Sequence, residues 1–114
     1  MSARSKACDI SARVRLRVTC RDNMECVICH RSGGMQVAHY IPRSQGGLGI
    51  EENLVLLCVE CHQAYDNGDK RNESGEFIRR YLSWNYPDWD ESKLKYDKWE
   101  VLNEQSGFDG KADR

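Results

Sequence analysis

No stretch of this 114-residue chain approaches the roughly 18 consecutive apolar residues of a membrane span, and no signal-peptide core is visible. Those absences predict a cytoplasmic protein with no membrane partner. Charge of one sign is not in excess either. Seventeen Lys and Arg face 18 Asp and Glu for a net charge of −1, so the chain as a whole does not advertise a polyanion partner. Prolines number two, Pro42 and Pro87, and no internal repeat is found. The length sets one domain with a modest core, which a bound metal would help to staple.

Cysteine is not scarce. Six are present, and in a reducing compartment they argue against a disulfide framework. Four form two Cys-x-x-Cys pairs, Cys26/Cys29 and Cys58/Cys61, separated by 28 residues. Cys8 and Cys20 are left as free thiols. A Cys-x-x-Cys turn presents two sulfurs on one side of a tight bend, and two such turns complete a tetrahedral zinc shell with no position open to water. The site this predicts is structural. His30, directly after Cys29, can in principle replace a cysteine, but an exposed turn is its expected place.

Along the chain, residues 1–10 read as a polar, frayed leader. From 11 to 21 two periods compete. Val14, Leu16, Val18 and Cys20 alternate as in a strand, while Ile10, Val14 and Val18 recur every fourth residue behind a Ser11 able to cap a helix. Asp22-Asn23 and Arg31-Ser32-Gly33-Gly34 are turn signals. Met35, Val37, His39 and Ile41 share one face of a predicted strand, with Gln36, Ala38 and Tyr40 on the other. A Gly-rich loop over 42–52 leads to the apolar run Leu54–Leu57, suited to a buried strand.

A helix is predicted from Cys58 to about Asn67, ended by Gly68. On it Cys61 and Tyr65 point one way, and His62 and Asp66, four apart, share another face. Residues 69–74 read as a polar linker. Phe77, Ile78, Tyr81 and Leu82 mark a further helix closed by Pro87. Trp84, Trp89 and Trp99 are expected in a core under the C-terminal part, and residues 103–114 as a disordered tail. Charge is uneven along this order. Residues 1–50 hold eight basic and three acidic side chains, a balance of +5 that leaves −6 for the remainder. The basic half makes Arg13, Arg15, Arg17 and Arg43, with Lys6, candidates for contact with DNA phosphates; a solvated charged surface is the plainer alternative.

With both cysteine pairs, His39, Asn53 and His62 noted, residues 10–68 resemble the HNH endonuclease family. The stretches that carry the likeness are Val14-Arg15 through Arg21-Asp22, Ala38-His39-Tyr40-Ile41-Pro42 with Gly46-Gly47, Asn53 through Cys58, and Cys61-His62. It looks most like the small single-domain members found in bacteriophages and prophages. The resemblance implies an α+β fold with a ββα-metal core: a hairpin and a helix clasped by the four-cysteine zinc knuckle. A helix precedes that core and a helical C-terminal tail follows it. On this reading a nuclease domain spans 11–68, a helical extension 69–102, and residues 12–21 are helical.

The resemblance also implies roles. His39 is the general base that deprotonates the attacking water, a task suited to a neutral imidazole. Asn53 ties down the loop that orients it. His62, and Asp66 one turn later, hold a catalytic divalent cation, Mg²⁺, Mn²⁺ or Ni²⁺, beside the one structural Zn²⁺. Many members carry an Asp or His ligand directly before the base; here that position is Ala38, which coordinates nothing. The expected activity is metal-dependent hydrolysis of DNA phosphodiesters, by nicking or double-strand cutting, in a phage- or prophage-encoded protein of the bacterial cytoplasm. Packaging proteins, terminase and portal, are conceivable partners. The alternative is a non-catalytic zinc-knuckle module that binds DNA or protein. Residue by residue, the plainer roles are a core histidine for His39, a surface histidine for His62, a strand-start turn for Asn53 and a helix-end acid for Asp66.

Overall fold

The run Leu54-Val55-Leu56-Leu57-Cys58 has no polar side chain to turn outward, and the fold buries all five residues as strand β2 (Leu54–Cys58). Its antiparallel partner is β1 (Met35–His39), in a register that sets Met35 opposite Cys58 and His39 opposite Leu54. This is the computed structural model of the protein, and it describes residues 3–68 and 71–96.

Helices surround the hairpin: α1 (Ala3–Cys8), α2 (Ala12–Arg21), α3 (Val59–Asp66) and α4 (Arg71–Asn85). Among the described residues the architecture is α+β, with a two-stranded sheet between the preceding and following helices. The competition of periods at 11–21 is won by the helix. Ser11 Oγ accepts from Val14 N at 3.1 Å as an N-cap. Val18 is fully buried while Leu16 stays 64% exposed, so the every-fourth-residue row faces the protein.

One core cluster joins Val55 and Leu57 of β2, Ala38 of β1, Tyr65 of α3 and Ile78 and Leu82 of α4. Alternation along β2 sends Leu54 and Leu56, equally buried, to the other face. The strand pattern of β1 also resolves. Ala38, at 1% exposure, is its core residue, and His39 alternates away from that side. A second anchor is ionic. Arg21 donates to both Asp22 oxygens at 2.7 and 2.9 Å, to Leu54 O at 2.6 Å and to Tyr86 Oη at 3.1 Å. Asp22 in turn accepts from Leu56 N at 2.9 Å and from Tyr81 Oη. Burial works against the Arg21 charge, yet the Asp22 carboxylate more than offsets it and holds the guanidinium pKa above its ordinary value. Asp22, read from the sequence as the start of a turn, thereby joins Arg21 in tying α2 to β2 and α4.

Three expectations are corrected. The leader is not frayed over its described part: residues 3–8 are helical, Cys8 is 2% exposed, and Arg4 Nη2 donates to Arg43 O and Ser44 O at 3.3 and 3.0 Å. Residues 71–74 are not linker but the first turn of α4. Arg71 secures that start by donating to Tyr65 O at 3.2 Å and lying 4.6 Å over the Tyr65 ring. Trp84 is not core but 87% exposed, on the outer face of α4. Trp89 does pack inward, donating to Glu52 O at 2.8 Å beside the Tyr40 ring. Trp99 and residues 103–114 lie outside the described residues.

Candidate active site

The four paired cysteines meet where the hairpin joins the helix. Cys58 is both the last residue of β2 and the N-cap of α3, and Cys61 sits in the first turn of that helix. The other turn is tied to β2 by Val27 N donating to Leu56 O at 3.0 Å. His30 adopts a left-handed backbone, φ 65°, to close this turn, and its side chain is exposed, as expected of a turn residue. All four sulfurs lie within 4.8 Å of one another, and Cys29 Sγ is 3.6 Å from Cys58 Sγ. Sulfurs bound to zinc at about 2.3 Å in a tetrahedron stand roughly 3.8 Å apart, so the cluster fits such an ion.

The thiols' acidities point the same way. Burial works against the Cys26 thiolate, but backbone N–H groups of Cys29, Cys58 and Ile28 bring its pKa down to about 7. Burial and the neighbouring thiols push Cys61 well up. Four crowded thiols do not all ionise without a cation among them. The cysteines are positioned to bind a metal such as zinc. Cys8 and Cys20 stand apart as free thiols, one buried and one exposed.

An open cleft of about 570 Å³ lies beside the cysteine cluster's elements, and His39, His62 and Asp66 all line it, with Val37, Arg43 and Arg71. His62 and Asp66 share a face of α3 as their spacing predicts: His62 Nε2 is 3.1 Å from Asp66 Oδ2. The other ring nitrogen, Nδ1, is 2.6 Å from Gln36 Oε1 on β1. That face therefore offers two metal donors; among the described residues no third His, Cys, Asp or Glu joins them in a cluster. Two protein donors suit a hard divalent ion that keeps most of its waters.

His39 closes β1 and is half-buried. Its pKa is lowered from the ordinary 6.5, chiefly by burial, with Arg43 and His62 also disfavouring its charge and the Cys8 carbonyl opposing them. The imidazole is thereby kept neutral near pH 7, the form a base requires. Asn53, fully buried, grips the chain that follows. Its Oδ1 accepts from Ile41 N at 2.8 Å, and its Nδ2 donates to Ile41 O and Leu48 O at 3.2 and 2.9 Å. The loop it closes turns tightly at Gly46, φ 84°, and at Gly47, where a Cβ would overlap the Ile41 carbonyl.

The arginines divide. Arg43 reaches the cleft, but its guanidinium is engaged: Nη1 donates to Cys8 O at 2.7 Å and Nη2 pairs with Asp9 at 2.9 Å. Arg13, Arg15 and Arg17 are exposed along α2 and do not line the cleft; Arg17 pairs with Glu51 at 2.5 Å. Ala38 is core, so the position directly before His39 sends no side chain toward a metal. Sequence reasoning missed Arg71, which lay in an apparent linker, and Gln36, the partner of His62. Finding Gln36 requires the packing of β1 against α3, and finding Arg71 the docking of α4 on Tyr65.

Comparison with known proteins agrees with this geometry. Residues 26–68 match the family model described as HNH endonuclease. Over 57 residues the chain is 28% identical to anaredoxin of Nostoc sp., an alignment that covers 49% of this chain and 75% of that protein. The hairpin, the following helix and the clustered cysteines are the features of a ββα-metal core. Over residues 26–68 the chain therefore matches the HNH endonuclease family, and its fold there is consistent with an HNH ββα-metal core.

Proposed function

We propose that this protein is a metal-dependent endonuclease that hydrolyses DNA phosphodiester bonds with His39 as general base. The observation that carries the reading is convergence. The last residue of β1 and two residues of α3, far apart in sequence, line one cleft together with Arg43 and Arg71. His39 takes the proton of the attacking water; Asn53 holds the loop that follows it. His62 and Asp66 would bind the catalytic cation, Mg²⁺, Mn²⁺ or Ni²⁺, and the four cysteines a structural zinc. A divalent ion bound there supplies positive charge against the charge that builds on the phosphate and the leaving 3′-oxygen. Arg71, which also lines the cleft, would neutralise a neighbouring phosphate. Products with 5′-phosphate and 3′-hydroxyl ends follow. One cleft cuts one strand, so a monomer nicks, and double-strand cutting requires a second visit or a second copy. A phage or prophage setting in the bacterial cytoplasm, beside terminase and portal proteins, is the context in which such an activity would serve packaging.

Relaxation of a supercoiled plasmid tests the reading. Wild type with Mg²⁺, Mn²⁺ or Ni²⁺ nicks, and folded His39→Ala loses at least the ~10²-fold a positioned base contributes. DNA binding without cleavage under every ion would replace this reading with that of a non-catalytic zinc-knuckle module.

A further inference from the structure

Helix α1 lies outside the matched residues 26–68, yet its last carbonyl reaches the proposed base. Cys8 O accepts from Arg43 Nη1 at 2.7 Å and lies 3.0 Å from His39 Nε2. A carbonyl oxygen has two lone pairs and no proton, and an arginine is always a donor. One lone pair is taken by Arg43, so the other faces Nε2, and only a protonated Nε2 can fill it. In the neutral ring the proton then sits on Nε2, and Nδ1 carries the basic lone pair.

The segment that supplies this carbonyl is clamped rather than draped. Gly49 N donates to Ala7 O at 3.0 Å. A Cβ at Gly49 would lie 2.6 Å from the Asp9 carbonyl carbon and 3.0 Å from Cys8 O, so the close approach requires glycine. Asp9 pairs with Arg43 at 2.9 Å, and Arg4 bonds the carbonyls of Arg43 and Ser44. Cys8 itself is buried. Every one of these contacts runs to the loop between the strands, the same loop that Asn53 closes.

We propose that residues 3–9 are a positioning element of the nuclease site: through the Cys8 carbonyl they hold His39 in the Nε2–H tautomer, making Nδ1 the atom that accepts the proton from water. This rests on the reading of His39 as base, but it makes a claim about the ring that holds whether or not DNA is cut.

Long-range ¹H–¹⁵N spectra of the zinc-loaded full chain, recorded where the histidines are neutral, test it directly. His39, assigned by the signal lost in His39→Gln, is expected as the Nε2–H form. An averaged or Nδ1–H signal for His39 overturns the proposal. Gly49→Ala, which forces the segment off the loop and leaves the knuckles untouched, is expected to move the His39 signal toward the average. It should also lower kcat ~10-fold, part of the ~10²–10⁴ contributed by a base, with KM changed far less. A folded Gly49→Ala that keeps the wild-type His39 signal likewise overturns it. Should Gly49→Ala fail to fold, the wild-type spectrum decides alone. A wild-type Nε2–H signal in a protein that cuts no DNA under any ion upholds the positioning and overturns only the nuclease reading.

Discussion

At the scale of single residues, the most consequential side chain outside the cleft is Asp22. Its carboxylate is fully buried, as is most of the Arg21 guanidinium it meets, and it also accepts the β2 amide of Leu56. Asp22→Ala would strand a buried cation and an amide together. A loss of about 3–5 kcal/mol is expected, the range for breaking a buried pair from one side, read as the change in urea midpoint at constant m-value. His39 yields a pH prediction. Burial lowers its folded-state pKa below 6.5, so the neutral base persists on the acid side of that value, and cleavage should fall only below about pH 6.5. The unfolded chain takes up the proton first on acidification. His39's contribution to stability is therefore full above its unfolded pKa and lost as pH falls through the folded one. An acid limb of the kcat profile centred above 6.5 would contradict the assignment of His39 as a buried base.

At the scale of elements, α3 does two jobs with one short helix of eight residues. Its first turn carries Cys61 toward the cysteine cluster. His62, and Asp66 one turn later, face the cleft instead, and Tyr65 locks the helix to the end of β1 by donating to Tyr40 O at 2.6 Å. Because the two sites sit on different faces, they should be separable. His62→Ala is expected to weaken Mn²⁺ binding at the cleft by tenfold or more, about 1.4 kcal/mol or above, while zinc content stays at the wild-type level. Titration calorimetry alongside elemental analysis checks both. Equal Mn²⁺ affinity in the variant would remove His62 from the ligand set. Much of this element was legible. The i,i+4 spacing of His62 and Asp66, the helix start near Cys58 and the stop at Gly68, φ 92°, are local properties written in short stretches. The start of α4 was not legible, because what secures Arg71 is the carbonyl and ring of Tyr65, a partner in another helix.

At the scale of the whole molecule, the cysteine cluster brings together two chain segments that flank the hairpin. The 28 residues between the pairs hold β1, the loop and most of β2. Without a bound metal that closure would be lost and four crowded thiols would be left with no cation. Chelation by a strong zinc ligand, or Cys58→Ser, is expected to abolish the cooperative thermal transition, since metal binding and folding are coupled in domains of this size. A chelated protein that melts as the wild type does would show that the core alone suffices. The proposed nuclease site depends on the same closure, as His39 and His62 meet only when β1 lies against α3.

What the sequence determined by itself was whatever rests on short spacing and composition. That includes the two cysteine pairs and the metal they suit, the buried β2 run, the His62–Asp66 face, and, through its resemblance, the HNH core. What only the tertiary structure decided was whatever depends on pairings distant along the chain. It turned Ala38 to the core, occupied Arg43 with Asp9 and the Cys8 carbonyl, and drew Arg71 to the cleft. It also folded the apparent leader onto the loop beside His39. The physical reason is the same in each case. A residue's period and neighbours fix which way its backbone turns, but which carbonyl, carboxylate or ring it meets is set by strand register and helix docking. Those are properties of the assembled fold.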